Sequence, residues 1–135
     1  MIYITQGVIT TSDGILGDSA GNEYRHAQSF IFGAASDVVD VSFNVSSIAG
    51  SPTGVVTVRI ETDTAGSPSG TLAHANLTTT LTPVVGWNRV ALTSANLASG
   101  TYWIVLGCDN QLNDVGYWLN RAGDVYAGEA KYTLN

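Results

Sequence analysis

The residues of this 135-residue chain whose types suit chemistry are two histidines, eleven acids, one cysteine and three tryptophans. A nucleophilic hydrolase needs a base within reach of its nucleophile, and no Cys–His pair is suggested by the positions of Cys108, His26 and His74. Both histidines read as strand-surface residues. Glu61 and Asp63 could in principle serve as the paired carboxylates of a glycosidase. Two acids beside Thr62 at the start of a Gly/Ser/Pro-rich stretch, however, are the usual means of capping a turn, and that is the role expected of them. No catalytic residue is assigned, and the chain is expected not to be an enzyme.

Metal and sugar chemistry are better candidates. Asp13, Asp18, Asn22 and Glu23 supply oxygen ligands with glycines between them, which suits a structural calcium, although the spacing is not that of an EF-hand. The same residue types also build ordinary turns. Binding of a glycan needs exposed aromatic rings. Strand alternation places Trp103 opposite Tyr102, Ile104 and Leu106, and Trp118 opposite Tyr117 and Leu119. If Trp103, Val105 and Trp118 share an outer face, they form an apolar patch that a ligand, a partner or an arm of the chain must cover.

Strands must position these groups. The longest apolar run, Tyr102 to Leu106 between Gly100 and Gly107, reads as a central strand. Around it, Phe30 and Phe32 share one face of a strand starting near Tyr24. Val41, Phe43 and Val45 alternate with Ser42, Asn44 and Ser46, and Val56, Val58 and Ile60 with Val55, Thr57 and Arg59. Val90 and Leu92 point inward from a strand over residues 87–93. Thr71 to Thr79 is a weaker strand that Pro83 ends, and Val115 to Asn120 and Val125 to Leu134 close the chain. Ser12 to Glu23 and Asp63 to Gly70 read as loops, with Pro68 and Gly70 setting the second turn. Met1 to Thr11 is a first strand or an arm laid on a neighbour, with Ile2, Tyr3 and Ile4 as its contact residues. About nine short strands without helical periodicity predict an all-β fold, a single antiparallel β-sandwich of jelly-roll type, with an N-terminal strand and loop over 1–23 and the sandwich over 24–135.

Composition narrows the partners. With 44% hydrophobic and 12% charged residues, the chain reads as one compact domain. A formal net charge of −6 disfavours a phosphate-binding surface, so nucleic acid is not expected as a partner. No apolar run approaches the roughly 20 residues of a membrane-spanning helix, and the N-terminus has no signal-peptide pattern. The lone Cys108, ending the strongest strand, reads as a core thiol.

Several segments together are similar to the choice-of-anchor type β-sandwich modules of bacterial surface proteins and phage structural proteins. They are AQSFIF (Ala27 to Phe32), the V-x-F-x-V strand at Val41 to Val45, VTVRIETDTAGSPSGTLA (Val56 to Ala73), W-x-x-V-x-L leading to L-x-x-G-T-Y-W-I-V-L, GYW (Gly116 to Trp118) and YAGEAKY (Tyr126 to Tyr132). The resemblance covers most of the chain after Tyr24. It implies a jelly-roll-like sandwich used for display or attachment, with no activity attached to the motif. The bacterial modules carry a leader and a sorting segment, which the residues here do not show. The expectation is therefore a virion protein made in the host cytoplasm, such as a capsid decoration or tail-appendage protein that contacts other virion subunits and forms a homo-oligomer. A carbohydrate-binding or adhesion module on a bacterial surface is the alternative.

Overall fold

The computed structural model describes residues 11–19, 22–52, 55–108, 115–121 and 129–134, with side-chain environments for 25–52 and 55–108. Among the described residues the fold is all-β, without helices, and every strand pairing is antiparallel. The strands are β1 (Thr11–Ser19), β2 (Asn22–Phe32), β3 (Ser36–Ala49), β4 (Val56–Thr64), β5 (Ser67–Leu72), β6 (Thr78–Leu81), β7 (Gly86–Leu97), β8 (Gly100–Cys108), β9 (Val115–Arg121) and β10 (Glu129–Leu134). The ladder order is β5-β4-β8-β2-β1-β9-β3-β7, with β6 also on β4 and β10 also on β2.

The core follows from alternation. Val56, Val58 and Ile60 of β4 and Ile104, Leu106 and Cys108 of β8 form one apolar cluster with Val41, Phe43 and Val45 of β3 and Val90, Leu92, Ala95 and Leu97 of β7. Since β3 and β7 are not laddered to β4 or β8, the two pairs face each other across the core, consistent with a β-sandwich. Phe30, Phe32 and Tyr102 close one end of this core as a ring cluster with centroids 5.3 to 6.0 Å apart. The Cys108 thiol is buried among the same apolar groups.

One edge of β2 is divided between two neighbours. Residues His26 to Phe32 pair with β8, and Asn22 and Tyr24 pair with β1 on the same side, while β10 occupies the opposite edge. The sheet thus forks at β2, one branch running through β8 to β4 and the other through β1 and β9 to β3. The edge of β4 away from β8 is likewise divided, with β6 beside Val56 to Arg59 and β5 beside Glu61 to Thr64.

Three expected loops or strands are redrawn. The stretch Ser12 to Glu23 is not a loop: it is β1 and the start of β2, joined tightly enough that Ser19 pairs with Asn22. Its Asp, Ser and Gly residues weaken β propensity, but ladder bonds to β9 along most of β1 override that preference. Asp63 to Gly70 is a hairpin with its turn at Ala65–Gly66, both at positive φ, rather than at Pro68 and Gly70. Pro68 fits within β5 because a short strand on the outer edge of β4 has ladder positions that need no N–H. The expected strand over 71–79 is interrupted by a turn from Ala73 to Leu77. There Ala73 donates its N–H to the Ile60 carbonyl and Ile60 donates to the Leu77 carbonyl, each at 2.9 Å, which drops the Leu77 side chain into the core.

Candidate functional site

The face of β8 opposite the main core carries Trp103 and Val105. As alternation predicts, they are separated from Ile104 and Leu106, and they form a second small cluster with Ala27 of β2. They are covered, however: Trp103 is 2% and Val105 1% exposed. The ladder sets Trp103 between Ser29 of β2 and Glu61 of β4. Its indole N–H donates to Asp63 Oδ1 at 2.7 Å, so the ring's one polar atom is satisfied. Of the alternatives for this patch, an open platform for a sugar ring is not what the fold provides: Trp103 and Val105 lie in a second buried layer. Nor does Trp118 stand beside Trp103, because its backbone pairs with Ile15 of β1 and Ser47 of β3, and the two tryptophans share no neighbouring strand.

The acids around this face are engaged in structure. Glu61 is 1% exposed, with Oε1 accepting from Arg59 Nε at 2.9 Å and Oε2 accepting the Gly70 N–H at 2.7 Å. Arg59 Nη2 donates to the Gly70 carbonyl at 3.0 Å, which closes a ring of bonds across the β4–β5 hairpin. Asp63 Oδ2 accepts the Gly66 N–H at 3.2 Å inside the turn, and the Thr62 and Ser69 hydroxyls meet at 2.6 Å. Glu61 and the Oδ2 of Asp63 therefore hold one hairpin, the capping role their setting predicts, while Asp63 Oδ1 ties that hairpin to Trp103 of β8. His74 Nδ1 accepts the Asn76 N–H at 3.1 Å in the Ala73–Leu77 turn.

The calcium set is dispersed along the backbone. Asp18 lies opposite Glu23 in the β1–β2 hairpin, next to Asn22, but Asp13 is five residues further along β1. Five residues of strand span about 17 Å, more than two carboxylates can bridge at calcium–oxygen distances of about 2.4 Å. A single ion therefore cannot use all four. The side chains of Asp13, Asp18, Asn22, Glu23 and Trp118 lie outside those described, as do Ile2, Tyr3 and Ile4 altogether.

Two further sequence features bear on the site. Gly17-Asp18-Ser19-Ala20-Gly21 spells Gly-x-Ser-x-Gly, whose chemistry depends on a strand-to-helix turn that raises the serine. Here Ser19 ends one strand of a β-hairpin and is followed at Asn22 by another, so that setting is not met. The second feature is Trp87, 53% exposed, whose backbone pairs with Asn44. The parity that sends Val90 and Leu92 inward sends Trp87 outward, so the signal was available. Beside it, Val84 and Val85 are 62% and 60% exposed. The turn carrying them is held by buried Asn88, whose Nδ2 donates to the Val84 and Gly86 carbonyls at 2.8 and 2.9 Å. Asn88 Oδ1 accepts the Val84 N–H at 2.9 Å.

Comparison of the chain with protein-family models, with curated proteins and with solved structures finds no match. No helix among the described residues is long and apolar enough to cross a membrane.

Proposed function

We propose that this chain is a non-enzymatic structural subunit of a phage virion, a capsid decoration or tail-appendage protein with a jelly-roll-like sandwich. Such a subunit assembles in the host cytoplasm, binds the particle surface and self-associates. The observation that carries this reading is the succession of strands. One layer holds the order β6-β4-β8-β2 and the other the pair β3-β7, and the chain passes from layer to layer at β2 to β3, β3 to β4, β6 to β7 and β7 to β8. Repeated crossing of this kind supports a jelly roll, an architecture common in viral capsid and lectin domains. It agrees with the family resemblance and says nothing of a reaction.

The test is whether purified chain is found on, or rebinds to, assembled phage particles. Removing residues 1–10 leaves β1 whole, so the shortened chain should fold with an unchanged far-ultraviolet spectrum and lose docking to the particle, as expected if Ile2, Tyr3 and Ile4 add to a neighbour's sheet edge. Retained docking would remove the arm from the assembly role. The alternative, a carbohydrate-binding or adhesion module, is favoured by the exposure of Trp87, since an aromatic ring beside Asn44 on an outer sheet face suits stacking on a sugar. A glycan array with Trp87→Ala as control tests it.

A further inference from the structure

The outer face of the β3–β7 pair carries a small grid of mixed chemistry. Period-two spacing sends Val41, Phe43, Val45, Val90 and Leu92 into the core, so Ser42 and Asn44 of β3 and Trp87, Arg89 and Ala91 of β7 stand on the other side. Register places Asn44 directly across from Trp87, Ser42 across from Arg89 and Asp40 across from Ala91. Neighbours on this grid are about 7 Å apart along a strand and about 5 Å apart across the pair. Trp87 is 53% exposed and the Arg89 side chain 61%, so the ring and the guanidinium both meet solvent, and exposed Ala91 adds no bulk beside them. Both are also held in place. Arg89 Nε and Nη2 donate to Oδ2 of buried Asp40 at 3.2 and 2.6 Å, and the bonds of buried Asn88 fix the turn that leads into Trp87.

From this grid we infer a saccharide-binding site on the outer face of β3 and β7, with Trp87 as its stacking surface, Asn44 and Arg89 as its hydrogen-bonding groups and an uncharged pyranose unit as its occupant. The inference rests on the carbohydrate-binding reading above and is independent of docking to a particle. A pyranose combines an apolar C–H face with a rim of hydroxyls that both donate and accept. The indole suits the first, and the planar amide and guanidinium, one beside the ring and one two residues along the strand, suit the second. Charge argues against an anionic sugar. Within the grid only Arg89 and Asp40 carry formal charge, of opposite sign and in contact, and the chain's −6 repels a polyanion at longer range. Extent argues against a protein partner: the exposed apolar side chains here are Trp87 and, in the turn before it, Val84 and Val85, whereas a standard protein interface takes about 20–30 residues from each side. Since the ring's turn and the guanidinium are already held, little order has to be gained when a sugar binds.

A glycan array holding neutral and anionic oligosaccharides, followed by calorimetric titration of its neutral hits and of an oligogalacturonate, tests this on the full chain. The expected result is a neutral oligosaccharide that binds with a blue shift of tryptophan emission as Trp87 leaves water. Trp87→Ala should weaken it by about 30-fold, with Trp87→Phe recovering part. Asn44→Ala should weaken it by about 3- to 10-fold, and so should Arg89→Lys, which keeps the charge beside Asp40 but not the planar fork. Because the Trp87 ring is exposed, its replacement should leave the melting temperature unchanged, so lost binding is not lost folding. An array without neutral hits overturns the inference together with the carbohydrate reading. Binding indifferent to Trp87→Ala overturns this site alone, as does an oligogalacturonate that binds more tightly than every neutral hit. Self-association in sedimentation velocity that Trp87→Ala abolishes assigns the face to a second copy of the chain and also overturns it.

Discussion

Replacing Trp103 is the sharpest probe of the buried second face. At 2% exposure, with its indole N–H 2.7 Å from Asp63 Oδ1, Trp103 has two separable contributions. Truncation to Ala removes the ring from a packed site and should cost about 3–5 kcal/mol. The hydrogen bond to a carboxylate accounts for about 1.5–3 kcal/mol of that, nearer the lower figure because Asp63 is only half-buried. Trp103→Phe keeps most of the ring and loses the donor, so it should fall between. Asp63→Ala removes the acceptor together with the turn bond from Gly66 at 3.2 Å, which does not involve Trp103. A double-mutant cycle between Trp103→Phe and Asp63→Ala should therefore give a coupling of about 1–2 kcal/mol, with the turn's contribution cancelling. Urea unfolding read by circular dichroism measures the three single variants and the double mutant, with constant slope as the check that the unfolded states are comparable. A cost below about 1 kcal/mol for Trp103→Ala would place the indole outside the core and refute the reading of this face as a second packed layer.

Other perturbations test separate parts of the fold. Asn88→Ala should cost about 1–2 kcal/mol in the same unfolding assay, and Asn88→Asp should not rescue it, because two of the three turn bonds use the Nδ2 donors. Glu61→Ala leaves Arg59 and the Gly70 N–H without their acceptor and should destabilise by about 3 kcal/mol, with Glu61→Gln recovering part. If a structural calcium binds near Asp18, Asn22 and Glu23, a chelator should lower the melting temperature and added calcium restore it; an unchanged melt under both conditions removes calcium from consideration.

What could be read from residue types was the set of inward faces. Val41, Phe43 and Val45, Val56, Val58 and Ile60, Val90 and Leu92, and Ile104 and Leu106 all lie in the core as their period-two spacing predicts. Alternation assigns parity but not cover, which is why Trp103 could be placed on the face opposite Ile104 while what covers it stayed open. Side-chain hydrogen bonds were invisible for a different reason: burial of Glu61 depends on Arg59 and on Gly70 in the next strand, and burial of Asp40 on Arg89, which reaches its Oδ2 at 2.6 Å from 49 residues away. The hairpin at Ala65–Gly66 was hidden because Ser, Pro and Gly in β5 imitate loop composition. The outward parity of Trp87 and Arg89 was legible, but their placement across from Asn44 and Ser42 needed the strand register.

The forked strand β2 also governs when the chain can fold. Residues 26–32 pair with residues 100–106, and residues 23–28 pair with residues 129–134, so both edges of β2 wait for partners that lie 68 to 111 residues later in the chain. Loop closure over such separations is slow, and until the last partner leaves the ribosome β2 offers open edges with Phe30 and Phe32 uncovered. The β2 region therefore completes its pairing only once residues 129–134 are available, and chains truncated before residue 129 should be the ones that recruit holdase chaperones or aggregate.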